Sequence, residues 1–256
     1  MNGARTRIPG IAEGQIDTAG EAPESTSANT VAERIKQLIV DDGLGPGDPI
    51  PPEPELGARL GASRSSIREA IRFLAALDIV EVHHGTGTKV GALTLTPMVA
   101  NLLFRAEVRP GDAVGRLREV VDARLTLDLG QADRVVSELE GTHDETLHQL
   151  ARQMVRLNND GSPFTEQDRL FHGMLVPRSA GHLINDLMQA FFDVHTTLLA
   201  ELDVPPDEEL HEAVAAHGAM LRAAECGDLD AYRDAVHSHY QPLARALETW
   251  ACEDLG

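Results

Sequence analysis

The chain has 256 residues, with 22 Lys and Arg against 41 Asp and Glu and a formal net charge of −19. That length accommodates two modest domains with cores of their own, and no apolar run reaches the roughly 18 residues that a membrane span needs. Two cysteines, Cys226 and Cys252, argue against a disulfide framework and for a reducing, cytoplasmic setting. Residues 1–28 lack the apolar core of a signal peptide and read as a disordered tail.

The first patterned element is a helix over Glu53–Leu60, followed by a tight Gly61-Ala62-Ser63 turn and a second helix carrying Arg64, Arg68 and Arg72. A short β run, Ile79 to His83, a Gly85-Thr86-Gly87 tip and a return strand, Thr88 to Gly91, come next. Leu56, Leu60, Ile67, Ala70, Ile71 and Leu74 recur at helical spacing and can pack the two helices together. This order of elements predicts a winged helix-turn-helix over residues 29–92, whose second helix lies in the major groove of double-stranded DNA. Ser63 or Ser66 can cap that helix, and Ser66 with Glu69 has the spacing of a capping box. Arg64 and Arg68 sit one turn apart near its N-terminus, where an arginine can pair bidentately with guanine, and Ser65 and Ser66 can donate to phosphates. The net charge opposes DNA binding, but the stretch from Arg59 to Arg72 holds Arg59, Arg64, Arg68 and Arg72 against Glu69 alone. Affinity then depends on that stripe and on doubling by a homodimer over an inverted repeat.

After a linker at Ala92–Pro97 the pattern is helical to the C-terminus. Helices are expected over Met98–Val108, from a cap at Asp112 to about Leu139, over Glu145–Asn158, from Ser162-Pro163 through Val176, and from Gly181-His182 to about Leu202. Two more span 207–226 and 228–251, with Gly227 as stop and Asp228 as cap. The fold class is therefore mainly α: a winged helix-turn-helix followed by an all-helical bundle of about seven helices over residues 98–252.

That bundle carries a second group of residues with chemistry. Asp168 and His172 are spaced i, i+4 on one helix face. His217 lies ten residues before Gly227 and His239 twelve after it, so an antiparallel hairpin turning there sets them side by side. One carboxylate and three imidazoles suit Zn, Ni or Mn with positions left open. The chain holds eleven histidines, and His83, His143, His148, His182, His195, His211 and His237 show that a histidine need not be a ligand. His237 lies two residues from His239, about 200° around the helix.

Two resemblances follow from these residues. Ile50-Pro51-Pro52-Glu53-Pro54-Glu55-Leu56, Leu60-Gly61-Ala62-Ser63-Arg64, Ile67-Arg68-Glu69-Ala70-Ile71, Leu74 and Gly85-Thr86-Gly87-Thr88-Lys89-Val90 resemble the GntR family of bacterial winged-helix regulators. The resemblance implies operator contacts from Arg64 and Arg68 and from His84 and Gly85 in the wing. Many members carry Ser and Arg where this chain has Pro52 and Pro54, so the resemblance does not carry one usual DNA contact over to this chain and leaves room for a different operator sequence. Residues 98–245 resemble the all-helical ligand-binding domain of the branch named for the fatty-acid regulator, an FCD-type domain. Its metal-binding members show Asp-x-x-x-His and a His pair about 22 residues apart across a Gly-Asp turn. The resemblance maps these onto Asp168, His172, His217 and His239, and implies a small organic-acid effector assisted by an arginine, Arg124 or failing that Arg118. Arg124 could instead pair with Asp128 at i+4. These expectations describe a cytoplasmic, homodimeric transcriptional regulator, a repressor, that is not an enzyme. The alternative is a metal-dependent hydrolase built on His143-Asp144, but that dipeptide sits in a Gly-Thr-His-Asp-Glu turn and lacks the further ligands such a centre needs.

Overall fold

The computed structural model describes residues 25–83, 85–108, 113–175, 182–201 and 210–253. The expectations placed on His84, Asp112, Val176, Gly181, Leu202 and residues 1–24 lie outside these. The chain divides into two compact units, Met1–Val90 and Gly91–Gly256. Among the described residues no helix is long and apolar enough to cross a membrane.

The first unit contains α1 (Ser25–Asp41), α2 (Glu53–Leu60), α3 (Arg64–Ala76), β1 (Val80–His83) and β2 (Gly87–Val90). Its core joins Val31, Ile35 and Ile39 of α1 to Leu56 and Leu60 of α2 and Ile67, Ala70, Ile71 and Leu74 of α3, closed by Val80 and Val90. The sequence reading assigned no helix before Glu53, so α1 is an addition, and its first residues are helical where a disordered tail was expected. Pro52 is the extended N-cap of α2 and Pro54 falls in its first turn, where a missing N–H costs nothing. Gly61 ends α2 at φ 57°, and its N–H bonds Gly57 O, a left-handed stop that suits glycine. Ser63 then caps α3 by accepting from Ser66 N at 3.1 Å. Ser66 is therefore already the third residue of the helix, and the expected Ser66–Glu69 box does not form. Ile79 is not in the strand: its N–H returns to Leu74 O at 2.9 Å to finish α3, with Asp78 in the left-handed region. The wing is an antiparallel pair in the register Val80↔Val90 to His83↔Gly87.

The second unit contains seven helices among the described residues: α4 (Thr96–Glu107), α5 (Ala113–Leu139), α6 (Glu145–Asn159), α7 (Thr165–Leu175), α8 (His182–Glu201), α9 (Leu210–Glu225) and α10 (Leu229–Glu253). α10 packs along α9 and α5, α8 lies against α5 and α4, and α6 bridges α7 and α9. A single core runs through it, with Leu117, Met154, Phe171, Leu221, Val236 and Leu247 among its buried members. The expected linker ends early, because Thr96 and Pro97 already form the first turn of α4. α7 begins at Thr165 instead of Ser162. Ser162 N–H bonds Leu157 O at 2.8 Å, closing α6 beyond a left-handed Gly161, whereas the first bond of α7 runs from Asp168 N to Phe164 O at 3.0 Å, which places the cap position at Phe164 and not at Ser162. The α9–α10 hairpin turns as expected: Gly227 has φ 73°, and Asp228 Oδ1 accepts from Ala231 N at 3.0 Å.

Candidate metal centre and DNA-contacting helix

Four side chains from α7, α9 and α10 converge inside the second unit. One potential ligand atom from each of Asp168, His172, His217 and His239 lies within 4.8 Å of the others. α7 supplies Asp168 and His172 from one face. The hairpin brings His217 and His239 to a ring separation of 4.4 Å. His237 is exposed and lies outside this cluster, as its position about 200° around the helix from His239 implies. His172 and His217 are almost fully buried, and Asp168 is 15% exposed.

The hydrogen bonds fix which ring nitrogens face the centre. His217 Nδ1 lies 3.1 Å from Val214 O and His239 Nδ1 3.2 Å from Ala213 O. A carbonyl only accepts, so both Nδ1 atoms carry a proton, which leaves Nε2 of each ring as the nitrogen able to offer a lone pair to an ion. Yet His217 Nε2 stands 2.9 Å from Asp168 Oδ1. Two lone pairs at that distance need a cation or a further proton between them. His172 Nε2 is 3.3 Å from the same oxygen, and both of its buried ring nitrogens lack a hydrogen bond of good geometry. Burial, and then the neighbouring His217 and His172, hold His239 well below the usual imidazole range, which keeps its ring neutral. Burial pushes Asp168 up, but hydrogen bonds and charge from His172 and His217 outweigh it and keep the carboxyl well below its usual range. One carboxylate oxygen and three imidazole rings, among them a His172 whose two buried nitrogens lack a hydrogen bond of good geometry, are a donor set that fits a divalent ion.

Against this cluster lies a buried cation. Arg124 of α5 is 4% exposed. It does not form the intrahelical pair with Asp128 that its spacing allows. Its guanidinium donates to His195 Nδ1 on α8 and sits over the rings of Phe192 and Tyr240, 4.9 and 5.5 Å from their centroids. Among the described residues no carboxylate pairs with it. Asp128 instead accepts from Tyr240 Oη at 2.5 Å and stands 3.9 Å from His172 Nδ1. Because arginine can only donate, the His195 proton sits on Nε2, which is shut from solvent without a partner. Burial and the adjacent Arg124 charge lower His195 to about 3. Arg118, the fallback, is half exposed and paired with Glu248. His195, Phe192, Tyr240 and the true role of Asp128 were missed, because they reach Arg124 from distant helices and no sequence spacing records that.

In the first unit Arg64, Ser65 and Arg68 project from the start of α3 into solvent, and Ser66 is half-buried. Ser63 Oγ shares hydrogen bonds with the Ser65 and Ser66 hydroxyls at 2.9 and 2.8 Å, so these hydroxyls are engaged in the helix start. Glu53 of α2, also missed, faces both arginines, 2.9 Å from Arg68 Nε and 3.7 Å from Arg64 Nε. Gly85 is exposed at the wing tip with φ 86°. His143 and Asp144 do not form a hydrolase pair: Asp144 Oδ1 is spent on capping α6, accepting from Thr146 N and Leu147 N.

Comparison with known proteins accounts for both units. Residues 27–90 match the family of bacterial regulatory proteins called gntR, and residues 119–242 match the FCD domain. The chain is 35% identical over 111 residues to NedR of Micromonospora viridifaciens, provisionally named a transcriptional regulatory protein, covering 42% of this chain and 80% of that one. It is 26% identical over 218 residues to a regulatory protein of Escherichia coli K12 provisionally assigned to the L-lactate dehydrogenase operon, covering 83% of each. The solved structure of Streptococcus agalactiae GntR is similar at a TM-score of 0.61 and 25% identity, over 85% of this chain and 99% of that one. The chain therefore belongs to the gntR family of bacterial regulatory proteins, in the branch that carries an FCD domain, and is a DNA-binding transcriptional regulator and not an enzyme.

Proposed function

We propose that this regulator is a homodimeric repressor whose helical unit binds a divalent metal and senses a small carboxylate. The observation that carries the reading is the guanidinium of Arg124, buried without a carboxylate beside four side chains of metal-ligand type. A buried charge left unpaired is costly, so the position favours an incoming anion. A divalent ion held by Asp168, His172, His217 and His239 would supply open coordination positions and positive charge to a carboxylate. Set against Asp168 and Asp128, that ion and Arg124 leave one formal positive charge, which a monocarboxylate would neutralise. Arg124 orients the anion with its planar fork, and His195 Nε2–H offers a second donor that has no partner of its own. Phe192 and Tyr240 hold the guanidinium plane in place.

The residues that meet the anion lie on α5, α7, α8, α9 and α10, so its arrival biases how these helices pack. In a homodimer on an inverted repeat, such a shift changes the separation of the two α3 helices and hence operator affinity. Phe104, Val108 and Leu183, each 60% exposed or more on the helical unit, support an apolar contact between two copies. The provisional assignment of one relative to an L-lactate dehydrogenase operon makes L-lactate the first acid to try. Calorimetric titration of the metal-loaded protein with L-lactate and a panel of small mono- and dicarboxylates tests the reading. At least one acid should bind, and Arg124→Met should weaken it tenfold or more. Silence across the panel, or equal binding by Arg124→Met, would contradict it.

A further inference from the structure

We propose that His143, His148 and Glu225 form a second, peripheral site for a zinc-class divalent ion, separate from the central cluster. Their candidate ligand atoms all lie within 4.8 Å of one another. His148 Nε2 stands 2.9 Å from Glu225 Oε2, and His143 Nδ1 stands 3.6 Å from Glu225 Oε1. Tetrahedral ligands about 2.0–2.1 Å from zinc are about 3.3 Å apart, so these spacings need shifts of only a few tenths of an ångström. The two imidazoles are stacked, with centroids 4.4 Å apart and planes 30° from parallel, and both turn a nitrogen toward the same carboxylate. Two neutral rings and one carboxylate are a three-ligand set that leaves the fourth position to water.

The surroundings orient the ligands. Asp144 N–H donates to Glu225 Oε1 at 3.0 Å and fixes the carboxylate. Gly141 N–H donates to Glu225 O at 2.9 Å and ties the α5–α6 connection to the end of α9. On His143 the other nitrogen, Nε2, lies 3.4 Å from Glu145 Oε2, the carboxylate–histidine–metal relay that aligns many ligating imidazoles. His148 and Glu225 are mostly buried, whereas His143 is 65% exposed, so an ion enters from the solvent side. An open cavity of about 610 Å³ lined by His143, Asp144 and Glu145 adjoins that side. The site is distinct from the central one: Glu225 follows His217 by eight residues on α9, a rise of about 12 Å. An ion here clamps the α5–α6 connection to the base of the hairpin that carries His217 and His239.

The test is a zinc(II) titration of the metal-stripped full chain against a competing chromophoric chelator, comparing wild type with His143→Ala and His148→Ala. Wild type should take up one zinc per chain that each variant loses or binds at least tenfold more weakly, with the zinc-free thermal midpoint of His143→Ala unchanged. His217→Ala should retain this equivalent. The wild-type-minus-variant difference is read whether or not the central cluster takes metal, so the two sites fail separately. If His148→Ala does not fold, His143→Ala alone decides. Equal stoichiometry and affinity in wild type and His143→Ala would overturn the proposal.

Discussion

Arg64 and Arg68 share one acidic neighbour in the free protein, Glu53, which is only 32% exposed. Solvent-exposed pairs of this kind contribute little to stability, so their consequence is positional: Glu53 holds Arg68 over the start of α3 in the free protein. Arg68→Ala should lower specific operator affinity by about 1–3 kcal/mol while leaving the helical signal in circular dichroism intact. Anisotropy titrations on operator DNA would show this, and unchanged affinity for both Arg64→Ala and Arg68→Ala would remove α3 from the interface. Inside the second unit, His195 and His239 are pushed down by burial and Asp168 is held down by its histidines. A group lowered in the folded state binds fewer protons there than in the unfolded chain, so stability must fall with pH. The metal-stripped protein should therefore lose stability from about pH 6.5 downward, the imidazoles first and Asp168 below the usual carboxylate range. His195→Asn should make that decline shallower by up to one proton, about 1.4 kcal/mol per pH unit, in denaturant titrations at stepped pH. An unchanged slope would mean that His195 takes up its proton in the folded state. The four central side chains were legible because an i, i+4 pair and a hairpin's symmetry are sequence distances. The Arg124–His195 contact spans 71 residues and has no such signature.

The hairpin of α9 and α10 carries half of that centre, and its turn is the element most exposed to substitution. Gly227 has φ 73°, and an added Cβ would lie 2.8 Å from the Glu140 side chain. Gly227→Ala should destabilise the bundle by about 1–2 kcal/mol, the cost of a left-handed non-glycine residue, with some relief as Glu140 swings away. The thermal midpoint should drop by roughly 2–8 °C, and an unchanged midpoint would show that the turn can be rebuilt. Element boundaries divide by the same logic of local against remote cause. Gly227-Asp228 and Gly61 were readable because a left-handed stop and a cap are local chemistry. The start of α7 was misread because Ser162-Pro163 looks like a cap and first helical residue, while the backbone of Ser162 closes α6 on Leu157 and the first bond of α7 is accepted by Phe164 O. α1 was overlooked because Gly, Ala, Thr and Glu upstream read as tail, although Val31, Ile35 and Ile39 mark a buried face that packs on α3.

At the scale of the molecule, a net charge of −19 is hard to reconcile with one winged helix gripping DNA alone. Two copies double the phosphate contacts, so light scattering should give a homodimer at micromolar concentration, and a monomer on a single half-site would contradict that assembly. Both units, their order and the family were legible from sequence, since the turn, the arginine stripe and the helical periodicity are dense local signals. The charge balance around Arg124 was not, because it arises only when five helices close together. The measurement that bears most directly on the account is the divalent-metal content per chain of protein purified without chelator, wild type beside His217→Ala and His237→Ala. A carboxylate at Asp168 with imidazoles at His172, His217 and His239 predicts that wild type and His237→Ala hold the same amount and that His217→Ala holds one equivalent less. Equal content in all three, or no metal in any, would reduce the cluster to buried histidines and leave only the DNA-binding half of the account standing.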